Sequence, residues 1–206
     1  MIFKILSLGF MDNRCYILSG NGKDAVVIDA PKGAERIKEE TEKDGLTVKY
    51  VLLTHGHFDH VGAAKKLQDA GAKIYLHKSD TDKTFDARLN EPFEPDFDLS
   101  DKEELGLAGL KIKVIQTAGH TSGGVCFLAR EAKEERGEEK LLLFSGDTLF
   151  CGDIGRTDLP SGNFKELEKN IKERLYTLSD DTVVYPGHGE ETTIGNEKRY
   201  NNHVRG

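Results

Sequence analysis

Three histidines and one aspartate are packed into six positions of this chain. They are His55, His57, Asp59 and His60, and they directly follow the apolar run Tyr50 to Leu53. The whole sequence has seven histidines, so this density is far from random scatter. Imidazole and carboxylate are ligand types that suit zinc, iron and manganese. Because the apolar run predicts a buried strand, a rigid element would aim these side chains at one point. The segment therefore indicates a metal centre, and a catalytic one.

The four groups fall into two pairs with different directions. Residues two apart in an extended segment face the same way, so His55 and His57 can share a metal. The spacing of apolar residues predicts a helix over Val61 to Ala70. Asp59 and His60 stand where the chain turns into that helix, and they should point elsewhere. Two pairs in two directions predict two neighbouring metals, which need further ligands from the rest of the chain.

Further candidate ligands follow three other apolar runs. His120 comes after the alternation Leu110-Ile112-Val114, Asp147 after the run 141–144, and His188 after the run 183–185. Each has glycine beside it or close to it, which allows tight turns and close backbone approach. Functional groups gathered on loops at one edge of a sheet form a common active-site layout.

Taken in order, T-H-x-H-x-D-H, G-H-T, G-D and P-G-H-G resemble the motifs of the metallo-β-lactamase-fold hydrolases. The resemblance runs from about Cys15 to about Asn196. Within that superfamily, the segments Gly146 to Phe150 and Gly155 to Asp158 are most similar to the short glyoxalase II-like branch and its persulfide dioxygenase relatives. The resemblance implies seven metal ligands: His55, His57 and His120 on a first metal, Asp59, His60 and His188 on a second, and Asp147 bridging both.

The implied cofactors are two divalent metal ions, with zinc expected first and iron or manganese as alternatives. Two metals about 3.5–4 Å apart can share a hydroxide that forms near neutral pH and attacks a carbonyl carbon. A metal then stabilises the developing oxyanion. Asp59 is the expected catalytic residue, because it would also orient the nucleophile or accept its proton. The chain has no G-x-S-x-G motif, which agrees with attack by water.

Three functions are compatible with these residues. The first is hydrolysis of a small-molecule thioester of the S-lactoylglutathione or acyl-thiol type, whose thiolate leaves without protonation. The second is a persulfide dioxygenase, in whose family one iron is held by residues that match His55, His120 and Asp147. The third is a non-catalytic metal protein, which is disfavoured because structural sites are usually closed tetrahedra of Cys and His. The filled set of seven ligands favours the hydrolase.

Arg156 is the candidate substrate-binding residue. The longer glyoxalase II enzymes use a lysine and a tyrosine in the segment that corresponds to residues 155–158, and the present chain has Arg156 and Asp158 there. Arg156 can bind a substrate carboxylate. Equally, Arg156 and Asp158 can pair with each other and brace the loop, and the sequence leaves both roles open.

Composition agrees with a single catalytic domain over residues 1–206. A net charge of −7 disfavours binding to nucleic acid and to anionic membranes. No apolar stretch approaches the roughly 18 residues that span a bilayer, and no signal peptide is recognisable, so a cytoplasmic location is expected. The oligomeric state is left open. Cys15 and Cys126 are expected in the core, and His77 and His203 are expected to be structural.

Strands and helices alternate in two similar halves. The pattern alone predicts a mixed α/β protein, and the resemblance implies an αββα sandwich of two mixed sheets with outer helices. Lys78 to Glu104 is expected to be mostly loop, and the charged run Glu131 to Lys140 to be a hairpin tip. Helices are predicted over Ala34 to Lys43 and after Asn163, where Glu166 completes a capping-box-like start. The predicted strands are Ile2–Leu8, Cys15–Ser19, Ala25–Asp29, Val48–Leu53, Lys73–Leu76, Leu110–Gln116, Val125–Ala129, Leu141–Ser145 and Thr182–Tyr185.

Overall fold

The computed structural model describes residues 1–83, 90–132 and 139–206, which form two β-sheets with helices against them. The first sheet has six strands in the order β1 to β6. Its first three strands are antiparallel and the remaining pairings are parallel. The strands are β1 Ile2–Leu8, β2 Asn13–Ser19, β3 Asp24–Ile28, β4 Thr47–Leu52, β5 Lys73–Leu76 and β6 Phe97–Asp98.

The second sheet also has six strands, in the reverse order from β12 to β7. All its neighbours pair antiparallel except β10 and β11, which are parallel. The strands are β7 Glu104–Leu107, β8 Leu110–Gln116, β9 Val125–Ala132, β10 Glu139–Gly146, β11 Val183–Pro186 and β12 Thr192–Thr193.

Helices cover the outer faces of both sheets. Apolar residues of α1 and α3 pack with one face of the first sheet, and those of α4 and α5 pack with one face of the second. A 3₁₀ helix occupies Lys78–Lys83, and a π-helical turn, Ile171–Leu175, continues α4. The α-helices are α1 Ala34–Glu42, α2 Phe58–Val61, α3 Ala64–Asp69, α4 Phe164–Asn170 and α5 Ile194–Tyr200.

The main core lies between the two sheets. In β3, Val26 and Ile28 point into this core, together with Phe127 and Phe144 of the second sheet. The alternate residue Val27 points the other way, into the cluster under α1 and α3. Because β3 is buried on both faces, its sequence is a continuous apolar run rather than an alternation. These layers are helix, sheet, sheet and helix, which confirms the αββα sandwich of two mixed sheets.

The predicted helix over Val61 to Ala70 is wrong in its extent. The structure has two short helices there, and α2 begins at Phe58, so that Asp59 and His60 are already helical. The break has a backbone cause. The Ala63 N–H donates to the Ala30 carbonyl at 2.8 Å, and the Ala30 N–H donates to the His60 carbonyl at 2.8 Å. Hydrogen bonds to the chain after β3 therefore replace those that would continue the helix.

Most other predicted elements are confirmed. Asn163 caps α4 by accepting the Glu166 N–H at 3.2 Å. The expected loop after Lys78 contains β6 and ends at β7, which the sequence pattern did not indicate. Strands β9 and β10 pair up to Ala132 and Glu139, and the predicted hairpin tip between them lies outside the described residues. Cys15 and Cys126 are buried as expected, whereas Cys151 is exposed. No helix in the described parts of the chain is long and apolar enough to cross a bilayer.

We expect Gly119→Ala to destabilise the protein. Gly119 has a φ of +137°, and a Cβ there would lie 2.5 Å from the backbone nitrogen of Leu167 in α4. Backbone strain and the clash together should lower the free energy of unfolding by about 2 kcal/mol or more. Thermal unfolding followed by circular dichroism should then show a midpoint lower by about 4 °C or more. Gly71→Ala is the matched control, because Gly71 has a φ of +100° and open space around it. Equal midpoints for both variants would contradict the clash.

Candidate metal centre

The candidate ligands meet where strands of both sheets end. In the first sheet, β3 and β4 are parallel, so the residues after them share one edge. In the second sheet, β8 and β10 both run antiparallel to β9, and β11 is parallel to β10. The loops after these three strands carry His120, Asp147 and His188. Gly146, which has a φ of +49°, lets the turn after β10 approach Thr54, since a Cβ would lie 2.3 Å from its hydroxyl oxygen. The two edges therefore meet closely.

A first group consists of His55, His57 and His120. One possible ligand atom from each lies within 4.8 Å of the others. His120 Nε2 is 2.9 Å from His57 Nδ1, and the His55 and His57 ring centroids are 4.8 Å apart. Three imidazoles this close to one another form a natural binding site for a transition-metal ion.

A second group consists of Asp59, His60 and His188, again within 4.8 Å. Asp59 Oδ2 is 3.4 Å from His188 Nε2 and 3.7 Å from His60 Nε2. Asp59 and His60 occupy adjacent positions of α2, and the helix turns both side chains toward the loop that carries His188. The two pairs in the motif at residues 55–60 thus serve different groups.

Asp147 lies between the two groups. Its Oδ1 is 3.3 Å from His60 Nε2, and its Oδ2 is 3.6 Å from His120 Nε2 and 3.7 Å from His188 Nε2. It also forms a set with His55 and His60 whose possible ligand atoms lie within 4.8 Å. One carboxylate therefore contacts rings of both groups, which is the geometry a bridging ligand requires. All seven candidate metal ligands are brought together.

Outer partners fix the orientation of the histidine rings. His60 Nδ1 donates to Asp29 Oδ2 at 2.9 Å, and the Thr54 hydroxyl donates to the same carboxylate at 2.8 Å. His55 Nδ1 then donates to the Thr54 hydroxyl oxygen at 3.1 Å. His120 Nδ1 donates to the Arg156 carbonyl at 2.8 Å. Each contact occupies Nδ1 and leaves Nε2 as the ring atom that can bind a metal, which is the usual role of outer partners of metal-binding histidines.

Sequence reasoning missed three supporting residues. Asp29 is one of them. Asn13 donates through Nδ2 to Asp59 Oδ2 at 2.9 Å and lies 3.3 Å from His188 Nε2. Asp80 is fully buried and accepts hydrogen bonds from the backbone of Gly56 and Gly123, which joins the loops of the first group. Asp29 could have been noticed as an acid at the end of an apolar run. Asn13 and Asp80 carry no comparable signal.

Burial and neighbouring charges shift the pKa values in opposite directions. Burial lowers the pKa of His55 well below its usual value, and it lowers that of His57 to about 4. Burial would also lower the pKa of His60, but the Asp147 and Asp29 carboxylates raise it well above the usual value. The hydrogen bond to Asp59 raises the pKa of His188. His55 and His57 are thus neutral and ready to bind a cation, whereas His60 and His188 hold protons that a metal must displace.

Unpartnered atoms provide a test of whether the residues fit a metal. In the described ranges, five buried polar side-chain atoms have no hydrogen-bond partner, and His55 Nε2, His60 Nε2 and Asp147 Oδ1 are among them. Buried polar groups are rarely left unpaired, so such atoms call for an unseen ion or water. These three belong to one set of close ligand atoms. The donor set therefore fits a divalent metal ion of the zinc, iron or manganese class.

Other predicted residues lie apart from this centre or take no direct part in it. The Arg156 guanidinium pairs with the Asp158 carboxylate through two contacts of 2.8 Å on the surface, as a loop brace would. Its role in substrate binding stays a prediction. His77 Nδ1 accepts the Ser79 N–H at 3.2 Å, and His203 pairs with Asp153 at 3.0 Å, as expected for structural histidines.

We expect metal binding to release protons. Because the pKa values of His60 and His188 are raised, these imidazoles keep their protons to higher pH than free imidazoles do, and a metal must displace them. Affinity for Zn²⁺ should therefore rise with pH, by about tenfold per pH unit for each proton released. Calorimetric titration of chelator-treated protein in two buffers of different ionisation enthalpy measures the released protons. Identical apparent enthalpies in both buffers would contradict this expectation.

Comparison with known proteins agrees with this geometry. The chain is 36% identical over 214 residues to hydroxyacylglutathione hydrolase GloC of Haemophilus influenzae, covering 98% of this chain and 97% of that protein. The structure of TTHA1623 in a di-iron-bound form is similar, with 34% identity, a TM-score of 0.82 and coverage of 98% and 100%. ETHE1 from Myxococcus xanthus has 28% identity, a TM-score of 0.79 and coverage of 99% and 84%.

The model of the metallo-beta-lactamase superfamily matches residues 8–188, which is most of the chain and includes every candidate ligand. With its two-sheet sandwich and its cluster of histidines and aspartates, the chain belongs to the metallo-beta-lactamase superfamily of enzymes.

Proposed function

We propose that the protein is a binuclear metallohydrolase that cleaves a small-molecule thioester of the acyl-thiol type. The observation that carries this proposal is the second ligand group, Asp59, His60 and His188, beside the first. A mononuclear centre would not need it, and Asp147 lies within 3.7 Å of ring atoms on both sides. The similarity to GloC, a hydroxyacylglutathione hydrolase, supports the substrate class.

In this proposal, His55, His57 and His120 hold one metal, and Asp59, His60 and His188 hold the other, with Asp147 shared. When bound, the metals supply Lewis acidity and a hydroxide from water near neutral pH. Zinc is the expected metal, and iron is the alternative that the di-iron form of TTHA1623 supports.

Asp59 would orient the nucleophilic water and accept its proton. Burial would raise the pKa of Asp59, but the hydrogen bonds from His188 and Asn13 and the charge of His60 hold it below its usual value. Asp59 therefore stays ionised at neutral pH and can act as a proton acceptor. The Asn13 amide fixes one of its oxygens at 2.9 Å, which limits its rotation.

A thioester suits this machinery better than an ester of an alcohol. A thiolate is a good leaving group and departs without a proton, so no separate general acid is needed. Among the described residues around the centre, Asp59 can act as the base, and the histidines are assigned as metal ligands rather than as general acids.

A second candidate function is an iron-dependent persulfide dioxygenase. The similarity to ETHE1, a persulfide dioxygenase, favours it. Its single iron would use His55, His120 and Asp147, a set of two histidines and one carboxylate that is typical of non-haem iron oxygenases. His120 Nε2 and Asp147 Oδ2 are 3.6 Å apart, so two members of this set lie close to each other.

Metal content and two activity assays test the proposal on the wild-type protein. We expect two metals per chain by elemental analysis and hydrolysis of S-lactoylglutathione. One iron per chain, with oxygen uptake on glutathione persulfide and no thioester hydrolysis, would instead establish the second candidate.

Asp59→Asn separates the two functions further. The amide keeps the shape but is a poor proton acceptor and a weak ligand, so kcat should fall by about 10²-fold or more. The first metal should stay bound while occupancy of the second falls. A dioxygenase would stay fully loaded with one iron in this variant, because its ligand set of His55, His120 and Asp147 does not include Asp59. Asp153→Asn is the control, since Asp153 is an exposed acid that pairs with His203. Undiminished turnover in Asp59→Asn would contradict the proposed mechanism.

Asp147→Ala tests the shared ligand. Both metals lose a ligand at once, so we expect loss of most bound metal and of nearly all activity. Asp147→Asn should disturb folding less, yet still impair metal binding, because a neutral amide bridges cations poorly. Elemental analysis and thermal unfolding of both variants, with Asp153→Ala alongside, distinguish metal loss from unfolding. An Asp147→Ala protein with two metals per chain and near-normal turnover would contradict the bridging role.

A further inference from the structure

A small cavity opens beside Asp59. Its volume is about 150 Å³, and its lining includes Phe10, Asn13, Lys32, Phe58 and Asp59. Sites that enclose a whole drug-sized ligand measure roughly 300–1,000 Å³. This cavity therefore has room for one end of a substrate whose reacting bond lies at the metal centre.

The walls of the cavity are two stacked phenyl rings. Phe10 and Phe58 lie with ring centroids 5.9 Å apart and an angle of 14° between their planes. Phe58 stands between His57 and Asp59 in the chain, so it belongs to the same turn of the chain as two of the candidate ligands. Phe10 is 75% exposed, although a large apolar side chain gains from burial. An apolar group that enters the cavity would cover part of this exposed surface.

Lys32, whose side chain carries a positive charge, also lines this cavity. It is exposed and forms no ion pair with any carboxylate of the described residues. The neighbouring lysines are committed, because Lys65 pairs with Asp69 and Lys66 pairs with Glu35.

Asp59, the acidic residue that lines the same cavity, already has interaction partners. Asp59 accepts the hydrogen bond from Asn13 and contacts His188. Lys32 is therefore available to pair with an anion on a bound molecule.

We propose that this cavity receives the acyl end of the thioester and selects a short apolar acyl chain that ends in a carboxylate. The inference rests on the proposed thioesterase function and adds a substrate class to it. The acyl end fits better than the thiol end because carrier thiols of peptide size exceed the cavity. The chain packs against Phe10 and Phe58, and its terminal carboxylate pairs with the Lys32 ammonium.

Binding of non-hydrolysable probes tests this inference without relying on turnover. The probes are two thioethers of N-acetylcysteamine, one with an S-hexyl and one with an S-(5-carboxypentyl) group. By calorimetry at low salt, the carboxylate probe should bind the metal-loaded protein at least about fivefold more tightly, as one partly exposed ion pair allows. The difference should shrink as salt is added, because screening weakens exposed pairs.

Three variants assign the effect to the cavity. Lys32→Met should bring the two probes within about twofold of each other by weakening the carboxylate probe, while Lys32→Arg should keep the preference. Phe10→Ala should weaken both probes. Lys38→Met is the control, because Lys38 is an exposed lysine of α1 that does not line the cavity. Equal binding of both probes to the wild type, or an equal loss of both in Lys32→Met, would overturn the inference.

The matching thioesters, S-hexanoyl- and S-adipoyl-N-acetylcysteamine, separate this inference from the proposed function. Faster cleavage of the adipoyl compound, lost in Lys32→Met, supports both. Cleavage of the two at equal rates overturns the acyl selectivity and leaves the thioesterase standing. A Lys32-dependent difference in thioether binding, with no cleavage of either thioester, overturns the thioesterase function and leaves the cavity as an anion-selective binding site.

Discussion

The main constraint on this structure is that five imidazoles and two carboxylates lie close together where the edges of the two sheets meet. His55 and His60 are almost wholly buried, and both have a ring nitrogen without a partner. Burying polar groups without partners costs free energy, and two carboxylates that contact the same ring nitrogen of His188, those of Asp59 and Asp147, repel each other. A divalent cation relieves both costs at once. The glycine turns and strand ends that allow this crowding therefore form a site that is stabilised when a cation binds.

Asp29 connects this centre to the first sheet. Its carboxylate, held at the end of β3 in a backbone conformation with a φ of +55°, accepts from the Thr54 N–H at 2.8 Å, from the Thr54 hydroxyl and from His60 Nδ1. Thr54 in turn contacts His55. One buried acid therefore orients a histidine in each ligand group, His60 directly and His55 through Thr54. Metal affinity in this protein thus depends on how strands β3 and β4 end, as well as on the ligands themselves.

The parts of the site that the sequence predicted were those that follow visible strand ends. His120, Asp147 and His188 each come after an apolar run, and parallel strand ends bring such residues to one edge. Asp80 and Asn13 could not be predicted, because their partners are chosen by tertiary packing between distant loops. The break between α2 and α3 was missed for the same reason. It is caused by hydrogen bonds to Ala30, thirty or more positions away, which no local periodicity records.

Hydrolase and dioxygenase sites are hard to distinguish by residue type, because the three ligands of the dioxygenase set all belong to the seven ligands of the hydrolase set. The hydrolase set adds His57, Asp59, His60 and His188, and contacts from outside the set support Asp59 and His188. Asn13 donates to Asp59, and the Met11 carbonyl accepts from His188 Nδ1 at 3.3 Å. Holding the Asp59 and His188 side chains in one orientation costs conformational entropy. If neither side chain bound a metal, nothing would offset that cost. This support for the second group is the physical reason to favour two metals over one.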